Sequence, residues 1–177
     1  ITNDLKWSEN TRDLIKRGNS RMEILRKLVP FHPPIEDMKT IYILYIRSIL
    51  EQSCTIWHSS LTQEDSIALE RVQKNACRNI LKERYLSYEN AISVLKIPTL
   101  SQRSELLLYN FRKKCLYLDQ MKQLFPLKEK AHYMSTRKED KYHVLAAKTE
   151  RLKNSTVPYL QKILNEKHKE NMDKRSI

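Results

Sequence analysis

Glycine is the scarcest resource of this sequence: among its 177 residues only Gly18 is one. Phosphate-cradling loops and dinucleotide-binding turns need several glycines, because backbone must come close to the ligand. Tight hairpins need positive φ, which glycine supplies most easily. One glycine therefore argues against those nucleotide-binding folds and against hairpin-rich β folds. Cysteine is also sparse. Cys54, Cys77 and Cys115 are odd in number and widely spaced, with no CxxC pair, which fits reduced, partly buried thiols inside a cell better than a disulfide framework. No apolar run approaches the ~20 residues that span a bilayer; the richest, Ile41 to Leu50, is broken by Arg47. The first residue is Ile1 rather than Met, so the chain reads as a piece of a longer protein and a missing leader carries no weight.

What is abundant is positive charge. Lys and Arg number 33 against 21 Asp and Glu, a formal charge of +12. Such a surplus points to a polyanionic partner, nucleic acid before an anionic membrane. Membrane-surface binding would need an amphipathic helix with a free apolar face, and the apolar faces here are committed to a core. Hydrophobic residues at 40% and charged residues at 31% suit a helical domain with a well-solvated surface.

Apolar residues recur at helical spacing. Leu14, Gly18, Met22, Leu25 and Val29 predict a first helix from about Glu9 to Val29, ended by Pro30, Pro33 and Pro34. Pro34 suits the first position of a second helix. That helix carries Met38, Ile41, Tyr42, Tyr45, Ile46 and Ile49, apolar round much of its girth and hence expected at the centre of the core. Thr62 is a plausible N-cap for a third helix, with Glu64 and Asp65 in its first turn and Leu69, Val72, Ala76 and Ile80 as its buried face. A short helix follows from about Tyr88 to Leu95. Thr99 and Gln102 then match a capping box for a fifth, with Leu107, Phe111, Cys115 and Leu118 as its apolar stripe. The expected fold is an all-α, compact bundle of about five helices with a less ordered, basic C-terminal extension. Residues 1–126 form the helical domain, 127–165 the extension with a short helix from Pro158, and 166–177 a nearly all-polar disordered tail.

In order and spacing, these residues resemble the C-terminal end of reverse transcriptases of non-LTR retrotransposons, the jockey-like and related groups. The likeness begins with Ile1-Thr2-Asn3-Asp4-Leu5-Lys6-Trp7, similar to the segment after the polymerase palm, and continues through Leu25-Arg26-Lys27-Leu28. Ile49-Leu50-Glu51-Gln52-Ser53-Cys54-Thr55-Ile56-Trp57-His58 and Leu69-Glu70-Arg71-Val72-Gln73-Lys74-Asn75-Ala76 resemble family signatures. Thr149-Glu150-Arg151, Ser155 and Pro158 resemble the closing motif, with Leu164-Asn165 where a Trp-Asn pair is often found and Thr156 where an aromatic is usual. The resemblance implies a thumb-like region plus extension that grips a template–primer duplex behind the active site of an RNA-directed DNA polymerase. Its partners would be RNA or DNA duplex and the parent chain's palm, with no membrane, small-molecule substrate or cofactor, and its location intracellular, nuclear and cytoplasmic.

The palm's adjacent aspartates are absent from the chain. Polymerase chemistry needs carboxylates that hold two metal ions about 3.5–4 Å apart. The acidic pairs Glu64-Asp65 and Glu139-Asp140 suit a helix start and a charged loop instead, so no catalysis is expected from this chain alone. Cys54 and His58 would share one helix face, but zinc needs two further ligands, of which Cys77 or Cys115 could supply one; the plainer reading is that Cys54 packs in the core and His58 ends the helix beside Trp57. The stronger signal is basic. Arg71, Lys74, Arg78 and Lys82 fall at i, i+3, i+7 and i+11, a narrow acid-free stripe nearly opposite the apolar face, and such surfaces ordinarily mix signs. Lys16 and Lys27 on the first helix are secondary phosphate candidates, and Arg112, Lys113 and Lys114 weaker ones. Trp57 is read as a core anchor rather than a base-stacking residue; Tyr85 and Tyr88 fit either role. The alternative is a helical protein-interaction or scaffold domain derived from a degenerate retroelement, its charge serving solubility or an acidic partner.

Overall fold

The structure, a computed structural model, describes residues 6–127 and 141–173, with side chains through Glu166. Glu139-Asp140 and most of the first family-like segment lie outside the described residues. The fold is all-α: among the described residues the only β pairing is an isolated bridge between Leu127 and Tyr142. Six longer helical elements are α1 (Ser8–Leu28), α2 (35–50), α3 (Gln63–Leu81), α4 (Tyr88–Leu95), α5 (Leu100–Tyr117) and α6 (Thr156–Asp173). Single turns lie at Cys54–Trp57, Asp119–Lys122 and Glu150–Lys153.

The chain divides into two compact units. One is Ile1–Cys54 with Leu61–Leu107; the other is Thr55–Ser60 with Leu108–Ile177. The boundary expected at Pro126 therefore falls inside α5. The physical reason lies in that helix's second half: Leu108 and Cys115 pack with Phe125, Leu160 and Leu164 into a core of their own.

In the first unit, α1 and α3 run side by side in the same direction. The Ser8 hydroxyl donates to Asp65 at 2.9 Å near the two N-termini, and the Lys82 ammonium donates to the Val29 carbonyl at 2.8 Å near the two C-termini. Between these ends, a Cβ on Gly18 would meet Leu50 Cδ2 at 3.0 Å and Val72 Cγ1 at 3.5 Å. The one glycine thus stands where α1 comes closest to α2 and α3. The positive-φ positions that glycine usually fills fall to His32, Ser53, Lys82 and Lys96 at helix ends, at a cost on the order of 1–2 kcal/mol each.

The expected caps form. Thr62 accepts the Asp65 amide at 3.1 Å. The Thr99 amide donates to Gln102 Oε1 at 3.1 Å, and the Gln102 amide returns to Thr99 Oγ1 at 3.1 Å. Helix α2 departs from expectation because its Tyr42–Arg47 stretch is π-helical. The wider turn shifts the register. Tyr42, Ile46, Ile49 and Leu50 are buried, but Leu44 and Tyr45 are 64% and 53% exposed, so α2 shows one apolar face to the core rather than its whole girth.

In the second unit, α6 is longer than the sequence pattern indicates. Its backbone stays helical through Asp173, which corrects the disordered tail for 166–173; residues 174–177 lie outside the described residues. Two buried amides on α6 replace sheet pairing for the segment beside it. Asn165 accepts the Tyr142 amide at 2.9 Å and donates to the Tyr142 carbonyl at 3.0 Å. One turn earlier, Gln161 accepts the Leu145 amide at 3.0 Å and donates to the Leu124 carbonyl at 2.7 Å. The Thr156 hydroxyl donates to the Ile56 carbonyl at 2.6 Å. Leu118, expected on the α5 stripe, is exposed; the helix ends at Tyr117, and Leu118 opens the next turn.

Candidate nucleic-acid interface

Helix α3 presents two opposed faces. Leu69, Val72, Ala76 and Ile80 are buried as their spacing requires, joined by Gln73, Cys77 and Leu81. On the other side Arg71 and Arg78 are exposed and Lys74 is half-buried. Among the described residues none of the three has a carboxylate within salt-bridge distance. The Arg78 guanidinium lies over the Tyr85 ring, 5.3 Å from its centroid, which gives Tyr85 a supporting role. Glu89 lies within electrostatic reach of Lys74. Glu89 sits below the usual carboxylate range, held by hydrogen bonds from its backbone amide and the Ser87 hydroxyl and by the Lys74 charge.

Lys82 does not extend this row. The α-helix closes at Leu81, and Lys82 turns away with φ 50° and ψ −120°. Its ammonium is engaged by the Val29 carbonyl at the end of α1, where a cation complements the helix dipole. Helical periodicity holds only as far as the helix runs, and Lys82 lies one residue past it. Lys16 and Lys27 are exposed. They lie about 180–200° round α1 from Gly18, at 100° per residue, so they face away from the Leu50 and Val72 contacts and do not join the α3 row. Arg112, 6% exposed on α5, does not join the row either. The structure thus gathers three of the six candidates, Arg71, Lys74 and Arg78, on one surface.

Helix α3 also carries two residues whose role periodicity could not reveal. Gln73 is 0% exposed. Its Oε1 accepts from the Tyr42 hydroxyl at 2.5 Å, and its Nε2 donates to the Tyr88 hydroxyl at 2.8 Å and to the Pro98 carbonyl at 3.0 Å. The Glu70 carboxylate accepts the Tyr88 hydroxyl proton and the Leu100 amide, the latter at 3.1 and 3.2 Å. A carboxylate at the first amide of α5 meets the positive end of the helix dipole. Burial raises the Tyr42 hydroxyl pKa well above its ordinary value, and burial with the Glu70 bond does the same for Tyr88. The only sequence signal for this network is the presence of polar residues inside an apolar stripe.

The rest of the chemistry is structural. All three cysteines are free and buried. Burial pushes the Cys77 thiol up to about 12 and raises those of Cys54 and Cys115, away from thiolate reactivity. Ser53, with φ 54°, breaks the helix before Cys54, and the α-helical turn ends at Trp57, with His58 opening a 3₁₀ turn. Asp65 is engaged by Thr62 and Ser8. Among the described residues no three His, Cys, Asp or Glu side chains cluster to hold a metal, and no helix is long and apolar enough to cross a membrane. Trp57 is buried at 2% exposure. No protein-family model, curated protein or solved structure matches the chain.

Proposed function

We propose that this chain is the thumb and C-terminal portion of a retroelement RNA-directed DNA polymerase and holds a template–primer duplex by its phosphates. The row Arg71, Lys74 and Arg78, displayed on α3 opposite a buried face, carries the reading. The formal charge of +12 and the ordered resemblance to the non-LTR reverse transcriptases support it. Phosphate contact positions a duplex without reading sequence, which is what a polymerase needs behind its active site. The chemistry belongs to a palm outside this chain.

The test is salt-dependent binding of a labelled duplex by the 177-residue chain. Three phosphates neutralised give a log–log slope contribution of about −2.7, or roughly 500-fold in affinity between 1 M and 0.1 M salt. Reversing Arg71, Lys74 and Arg78 to Glu should remove that contribution. Reversing the exposed Lys96, Lys148 and Lys162 changes net charge equally and should leave the α3 contribution in place. Equal losses in the two triple variants would reduce the row to bulk charge. No loss in either would favour the protein-interaction reading, for which the exposed Leu44 and Tyr45 of α2 are the natural surface.

A further inference from the structure

The second half of α5 holds a charge without a counterpart. Arg112 is buried, yet its Nε has no hydrogen-bond partner and no carboxylate pairs with it among the described residues. Its guanidinium lies over the Tyr109 ring at 4.6 Å, and the Lys113 ammonium lies at 4.6 Å from the same centroid. Two cations share one ring. Stacking offsets part of the desolvation of a cation, but a buried charge ordinarily finds a counter-charge and hydrogen-bond acceptors. From Leu106 to Leu118 there is no acidic residue; of the two acids that flank this run, Glu105 makes no ion pair with Arg112 among the described residues, and Asp119 is engaged with Lys122 at 2.6 Å.

A second observation points outward from the same helix. Tyr117 is 83% exposed. It follows Tyr109 and Lys113 at i+8 and i+4, so the three fall within about 80° of the helix surface. An exposed aromatic ring one turn from a lysine has the composition of a single-strand platform: bases stack on the ring while cations follow the backbone. Duplex DNA offers no unstacked base to such a ring.

We propose that the α5 face of Tyr109, Arg112, Lys113 and Tyr117 binds single-stranded nucleic acid, a phosphate completing the Arg112–Lys113 pair and a base stacking on Tyr117. The proposal stands apart from the duplex grip of α3, since it involves different residues and a different form of nucleic acid.

Fluorescence anisotropy of a labelled oligothymidylate with the 177-residue chain tests it. Tyr117→Ala should weaken binding by about tenfold without altering the salt slope. Lys113→Ala should weaken it and flatten the slope by about 0.7. Both side chains reach the surface, so circular dichroism should show the fold retained. Arg112→Lys, which keeps charge but loses the planar fork, should also weaken binding. Lys148→Ala, an exposed cation of the same unit, should leave affinity within about twofold. Unchanged affinity in both Tyr117→Ala and Lys113→Ala overturns the proposal, as does an equal loss in Lys148→Ala. Reversal of Arg71, Lys74 and Arg78 should spare oligothymidylate binding, so loss of duplex binding alone bears on α3 and loss of single-strand binding alone on α5.

Discussion

Gln73→Leu offers the sharpest test of how α3 divides its work. The substitution keeps approximate volume but deletes the amide that ties α2, α3 and the turn before α5. Three partners are affected unequally. The Tyr42 hydroxyl, on a fully buried side chain, loses its acceptor at 2.5 Å, and the Pro98 carbonyl loses its donor at 3.0 Å. Tyr88 keeps the Glu70 carboxylate. Each buried polar group left unpaired costs about 1–3 kcal/mol, so the variant should lose roughly 2–6 kcal/mol, a large part of the ~5–15 kcal/mol that holds a typical domain. Urea unfolding followed by circular dichroism measures it. Adding Tyr42→Phe removes one orphan, so the double variant should be more stable than Gln73→Leu alone; the cycle isolates the coupling because the residues touch. At low temperature, while the fold persists, duplex affinity should stay within about threefold of the parent, since Gln73 reaches no solvent. A Gln73→Leu chain that unfolds like the parent, or a Tyr42→Phe addition that destabilises it further, would refute the assignment.

Three further outcomes follow from burial. The three thiols should resist iodoacetamide at pH 8 in the folded chain and react on unfolding; rapid native alkylation would refute their burial. Because the Cys77 value is raised in the fold, from 9.0 to about 12, its contribution to stability is present below pH 9 and is lost as pH rises toward 12, so the melting-temperature gap between the parent and Cys77→Ala should narrow over that window. Trp57→Ala should cost about 3–5 kcal/mol and lower the melting temperature more than it lowers nucleic-acid affinity at low temperature; a normally melting variant that loses nucleic acid would make Trp57 a stacking residue.

Part of the candidate site is legible in the amino-acid sequence. The α3 cations are visible there because a straight helix maps sequence offset onto angle, and Arg71, Lys74 and Arg78 obey that map. Lys82 does not, because where a helix stops depends on what its end meets, here the Val29 carbonyl fifty-three residues away in sequence. Arg112 forms one basic run with Lys113 and Lys114, yet consecutive residues point apart on a helix, and burial by a second core separates them. Glu70 and Gln73 stand out in the sequence only as members of the 69–76 stretch. Their role rests on Tyr42, Tyr88, Pro98 and Leu100, partners that no local pattern identifies.

The sequence by itself determined what local physics controls. It set the helical class through apolar period, the starts of α3 and α5 through Thr62 and the Thr99–Gln102 box, and the break after α1 through its prolines. Each depends on residues within a turn or two of one another. Tertiary structure alone decided the π turn in α2, the division of α5 between two units, and the clamps of Gln161 and Asn165 on the 142–145 segment. Those outcomes depend on packing and hydrogen bonding between residues distant in sequence, and propensity yields wherever such contacts outweigh the few tenths of a kcal/mol per residue that distinguish most side chains in a helix.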